Sequence, residues 1–142
     1  MRKILCSLLV LGLAGISACG ASRPDTARIA EPDLLHHRFV IEDANGVAFT
    51  ERVPFIQFGE DMLITGQICN NFRGKAELKD GVLTMPLAAA TMMMCPDAER
   101  NAFERDLFKM LSDGANASYK GNTLTLENNG KVFRFSLRDL PQ

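Results

Sequence analysis

A chain of 142 residues, 46% hydrophobic and 23% charged, holds material for one modest folded domain and leaves no room for a second. Its 16 Lys and Arg stand against 17 Asp and Glu, a net charge of −1 with the signs evenly mixed. That balance argues against nucleic acid as a partner and against capture by an anionic surface through charge alone.

The amino terminus opens with Arg2 and Lys3, continues with an apolar stretch from Ile4 to Leu13, and reaches the small-residue site Ile16-Ser17-Ala18-Cys19. A membrane-spanning helix needs about 20 mostly apolar residues, and this run is shorter and broken by Gly12, Gly15 and Ser17. The tetrapeptide resembles the lipobox of bacterial lipoproteins. That resemblance implies cleavage before Cys19, a diacylglycerol thioether on its sulfur and a third acyl chain on the new amino terminus; an ordinary secretory signal is the alternative. Two or three acyl chains, at about 0.8 kcal/mol per buried CH₂, hold a protein to a membrane effectively permanently. In such lipoproteins an aspartate after the cysteine signals inner-membrane retention. Here the residue is Gly20, so the expected location is the outer membrane, facing the periplasm.

The expected organisation is a signal peptide over 1–18, a lipidated amino terminus and flexible tether over 19–33, and one domain over 34–142. Cleavage would remove Arg2 and Lys3 and take the net charge from −1 to −3. Cys6 would leave with the signal and Cys19 would carry lipid, so Cys69 and Cys95 are the remaining thiols. In an oxidising compartment they are expected to pair, closing a loop of about 26 residues and adding roughly 3–4 kcal/mol. Two buried free thiols, each packing as a small hydrophobe, are the other arrangement open to them.

From His37 onward, short and partly alternating apolar stretches are punctuated by turn residues. This predicts antiparallel strands near 37–42, 53–58, 61–68, 73–79, 82–85, 116–120, 123–127 and 131–137. Asn45-Gly46, Asp80-Gly81, Gly121-Asn122 and Asn129-Gly130 supply residues that accept the positive φ of tight turns. Between Asp97, a good N-cap, and Gly114 the residues Phe103, Leu107, Met110 and Leu111 recur at helical spacing, predicting one helix over 97–113. Asn101, Arg105 and Lys109 lie opposite that stripe. The expected fold is α+β: a curled, barrel-like antiparallel sheet of about eight short strands with the helix over one side.

Cys69-Asn70-Asn71-Phe72-Arg73-Gly74 followed by Thr91-Met92-Met93-Met94-Cys95 resembles the paired signature of the META domain family. Glu104, Leu107 and Leu111 after the second cysteine, and Tyr119 to Leu126, fit the helix and closing hairpin of that family. The resemblance runs from about Leu34 to Leu140. It implies a barrel-like α+β fold and an association with heat shock, envelope stress and novobiocin tolerance, with no catalytic residues to carry over. The chain departs from the family pattern in having no tryptophan near its first strand, where His36-His37-Arg38 stand.

The residues themselves offer little for catalysis. His36 and His37 are the only histidines, and neighbours on a strand point to opposite faces, so they are badly placed to share a metal. No serine sits in a nucleophile-elbow sequence, and bridged cysteines leave no thiolate. Met92, Met93 and Met94 beside Cys95, with Met62 and Met85, are soft donors that suit Cu(I). Methionine is also the adaptable filler of irregular cores, and that is the expected role here. Asn70 and Asn71 beside Gly74 are expected first to shape a turn or bulge near the disulfide; with Phe72 they also form the candidate binding turn, the lesser of the two roles. The expected function is non-enzymatic, with no cofactor: a lipoprotein that supports stress tolerance by binding, its partner another envelope protein. An amphipathic small molecule is the alternative partner, and Cu(I) handling ranks below both.

Overall fold

A computed structural model describes residues 28–140. The expected signal peptide, 1–18, and the expected lipidation site, Cys19, lie outside the described residues. The described chain carries ten strands, β1 (Arg38–Ala44), β2 (Phe55–Phe58), β3 (Leu63–Gln67), β4 (Asn71–Lys75), β5 (Glu77–Lys79), β6 (Val82–Thr84), β7 (Ala89–Ala90), β8 (Ala115–Lys120), β9 (Thr123–Asn128) and β10 (Lys131–Leu137), and one helix, α1 (Ala98–Asp113). All pairings are antiparallel, in the order β5-β6-β8-β9-β10-β1-β2-β3-β4-β7.

The connection from β4 to β5 shows how far this sheet curls. Strand β5 is first in the order and β4 next to last, yet they are joined through Ala76 alone, so the sheet must bend until its two sides nearly meet. A half-barrel results. Ala76 is buried and donates its N–H to the Met62 carbonyl at 3.0 Å, which pins the seam. A bulge at Glu42, where the register between β1 and β10 shifts, adds local bend and twist.

Two of the predicted turns show why their residues were needed. Asp80-Gly81 and Asn129-Gly130 join β5 to β6 and β9 to β10 with both residues at positive φ, 52° and 79° in one, 49° and 76° in the other. Strand β10 alternates from Phe133 to Phe135, with both phenylalanines buried and Arg134 exposed, and departs from alternation at Ser136, which is buried. On the concave side Phe103 of α1 meets Phe133 edge to face at 4.9 Å, and Phe108 meets Phe72 of β4 in the same way at 4.9 Å. The helix therefore packs against both β10 and β4, and its buried residues Phe103, Leu107, Met110 and Leu111 are those of the predicted stripe.

Three expectations change. The strand predicted over 73–79 is two, because the chain crosses the seam at Ala76. The strand β7 has no sequence signature: two alanines pair with Phe72 and Arg73. Residues 28–33, the described end of the expected tether, lie on the domain, with Ile29 only 7% exposed and Glu31–Asp33 forming a short 3₁₀ turn.

Candidate functional site

The paired signature folds into a clamp. Between β3 and β4 the chain turns sharply at Ile68 to Asn70, closed by the Ile68 N–H donating to the Asn70 carbonyl at 3.1 Å. A turn this tight leaves backbone N–H groups facing inward, and Glu104 from the middle of α1 takes them. Its Oε2 accepts from the N–H of Cys69 at 3.1 Å and of Asn70 at 2.7 Å, and its Oε1 accepts from the Asn70 side-chain amide at 2.9 Å. The other end of the Asn70 amide faces the second half of the signature. Oδ1 accepts from the Thr91 hydroxyl at 3.0 Å and from the Met93 N–H at 2.7 Å. Thr91 also accepts from the Asn71 N–H through its hydroxyl, at 3.2 Å, and donates its own N–H to the Asn71 carbonyl at 3.0 Å.

Cys69 and Cys95 are disulfide-bonded, their Cα atoms 5.8 Å apart. The bridge ties the approach to α1 to the β3–β4 corner, two residues before Asp97 starts the helix. The Asp97 carboxylate accepts from the N–H groups of Glu99 and Arg100 at 3.0 and 3.1 Å. The Arg100 N–H, then the Arg100 side chain and the Glu99 N–H, hold the carboxyl of Asp97 below the usual carboxylate range. Arg100 reaches further. Its Nε pairs with Asp97 at 3.0 Å, its Nη1 and Nη2 donate to the carbonyls of Arg52 and Glu51, and its guanidinium lies 5.1 Å from the centre of the Phe49 ring. The 48–52 loop is thereby fastened to the start of the helix.

These fastenings leave an open cleft of about 560 Å³ beside the disulfide, lined among others by Phe49, Arg52, Ile68, Met93, Met94 and Arg100. It lies within the range of small-molecule sites, about 300–1,000 Å³.

The expected binding turn is placed differently from its expectation. Asn71–Lys75 is strand β4, and the turn lies before it. Asn70 is 8% exposed with its amide fully engaged, Phe72 is buried against Phe108, and a Cβ at Gly74 would sit 2.5 Å from the sulfur of Met85. Of the four residues only Asn71 faces outward. Asn70 is a fastening between helix, corner and the methionine segment, and an asparagine suits it because its short side chain offers a donor to Glu104 and an acceptor to Met93 at once.

The methionines also depart from expectation. Met62 and Met85 fill the core, but Met92, Met93 and Met94 are 97%, 68% and 96% exposed. With both cysteines in the bridge, they have no thiolate beside them for Cu(I). Among the described residues no group of three or more His, Cys, Asp or Glu is placed to hold a metal. The histidines diverge: His36 lies 3.7 Å from Glu60, whereas His37 pairs through Nδ1 with Asp139 at 2.9 Å. The Arg38 N–H and then His37 hold the Asp139 carboxyl below its ordinary range.

A curled antiparallel half-barrel, closed by one helix whose carboxylate fastens a disulfide-bridged corner, defines a class of small single-domain protein. The chain belongs to the META domain family, whose model matches residues 32–139. It is 37% identical over 123 residues to Heat shock protein HslJ of Escherichia coli (strain K12), a match covering 85% of this chain and 88% of that protein. A solved NMR structure, 37% identical, superposes with a TM-score of 0.74 over 80% of this chain and 99% of its own. A second NMR structure, of a protein from Burkholderia xenovorans, is 19% identical with a TM-score of 0.59 over 82% and 97%, and shares the fold.

Proposed function

We propose that the protein is a lipoprotein of the cell envelope, anchored through Cys19 to the outer membrane and facing the periplasm. In this reading it supports heat-shock and envelope-stress tolerance, including tolerance of novobiocin, by binding rather than by catalysis. The observation that carries the reading is the likeness to HslJ along 85% of the chain. It is supported by a signature whose polar groups, on Asn70, Thr91 and Glu104, are engaged with one another and with backbone instead of converging on a reacting atom. The partner is another envelope protein. A second reading is favoured by the cleft beside the disulfide, where Phe49, Ile68 and Met94 stand among charged side chains of both signs and suit an amphipathic small molecule.

Substituting Cys19→Ala in a strain lacking the chromosomal copy tests the anchored reading. The variant is expected to lose acylation by mass spectrometry, to leave the outer-membrane fraction and to fail to restore heat and novobiocin tolerance. A variant that still fractionates with the outer membrane and restores full tolerance overturns it.

A further inference from the structure

Between Gly81 and Pro96 the chain, elsewhere rich in charge, has no Asp, Glu, Lys, Arg or His. The second half of that stretch stands on the outside of the molecule. Leu87 is 84% exposed, the alanines of β7 are exposed, and Met92 and Met94 protrude almost fully. A segment this apolar would ordinarily collapse inward. It is kept out because both ends are fixed: Met85 is buried and donates its N–H to the Leu111 carbonyl, while Asn70 and the disulfide grip Met93 and Cys95. The fold thus holds an apolar ridge in water, and an exposed apolar patch of this kind marks a surface that meets something.

We propose that the ridge is a lipid-docking surface, in which Leu87, Met92 and Met94 enter the interfacial layer of the bilayer while Arg73 and Lys75 face the headgroup phosphates. This rests on the anchored reading above. Arg73 lies directly beside Ala89 in the β4–β7 ladder, and Lys75 lies opposite the half-exposed Leu63. Neither is in an ion pair among the described residues; the Lys75 ammonium donates to the Asp61 carbonyl and keeps its other two N–H groups for a phosphate. The overall charge does not draw the protein to a membrane; acylation would do that, and the ridge then decides which side lies down.

Chain length keeps the ridge within reach of the bilayer. From Cys19 to Arg28 is nine residue steps, at most about 32 Å fully extended. A domain of this size has a radius of gyration of about 13 Å, so the tether holds it beside the headgroups and leaves the ridge to select the face that meets them. Arg28 is fastened to Asp80 at 2.9 Å, and Leu87 follows Asp80 by seven residues, at most about 25 Å of chain. What favours lipid over protein is the lack of an aromatic anchor on the ridge and the basic Arg73 and Lys75 beside it; the protruding, unbranched methionines adapt their shape, and a fluid layer accepts them in any conformation.

The chain has no tryptophan, so Met94→Trp places a single fluorophore on the ridge. Asn122→Trp places one at the tip of the β8–β9 turn, an exposed position outside the uncharged segment. Each full-length, signal-processed protein is reconstituted by its anchor into vesicles of phosphatidylethanolamine and phosphatidylglycerol, with and without lipids brominated on the acyl chain. Melting temperatures confirm that both variants fold. Blue-shifted emission and quenching of about two-fold or more for Met94→Trp, with none for Asn122→Trp, is the expected result. Equal quenching of both, or none at Met94→Trp in protein whose Cys19 peptide carries the acyl mass, overturns the docking surface while leaving the anchor standing. Absence of the acyl mass overturns the anchored reading and the docking surface with it.

Discussion

Replacing Cys69 and Cys95 together by alanine is expected to lower stability by about 3–4 kcal/mol, since the bond restrains a loop with a sequence separation of 26 in the unfolded chain. For a domain of this size that corresponds to a fall in Tm of roughly 10–25 °C. Calorimetry of parent and double variant at pH 7 measures it. The loop contains β4 to β7 and the ridge, so the segment from Leu87 to Cys95 should also lose protection against hydrogen exchange. A change of Tm within about 2 °C would show that the Asn70 and Glu104 bonds alone suffice to hold the corner.

The near-isosteric change Asn70→Asp is expected to cost about 3–5 kcal/mol at pH 7. It keeps the acceptor used by Thr91 and Met93, but it replaces the amide donor, 2.9 Å from Glu104, by an oxygen. Two carboxylates then face each other at a partly buried site, and one must take up a proton or the contact must open. The new pair has its folded-state pKa raised above the unfolded value. The penalty is therefore full above that raised pKa, shrinks as pH falls through it, and is gone near the unfolded value of about 4, where a protonated carboxyl can donate to its neighbour. Thermal melts from pH 8 to 4 should bring parent and variant together at the acid end. A gap that stays constant with pH would show that the loss is steric.

Both predictions concern a feature only half legible in the sequence. The signature residues were identifiable, but Asn70 reads there as part of an exposed binding turn. Its true partners, Glu104 and Met93, lie 34 and 23 positions away, and nothing local announces them. The hairpins and the helix could be read directly because their causes are local: residues that accept positive φ at the turns, alternation in β10, an N-cap at Asp97 and a repeat of large apolar residues in α1. The break at Ala76 and the alanine pair of β7 have tertiary causes, the meeting of the sheet's two sides and the fastening of Thr91 to Asn71. The exposure of Met92 to Met94 is not legible in the sequence, where hydrophobicity alone points to burial. Clamping at Met85 and Cys95 overrides that tendency for the residues between.

The signature holds the fold and presents the ridge, and under the docking proposal the ridge carries function. The variant Met92→Asp with Met94→Asp, produced in a strain lacking the chromosomal copy, tests this most directly. Both side chains are almost fully exposed, so Tm should stay within about 2 °C of the parent. Heat and novobiocin tolerance should nevertheless fall to the level of the deletion strain, with protein abundance by blot and outer-membrane fractionation unchanged. Full tolerance in a double variant that is as abundant and as stable as the parent would contradict the account.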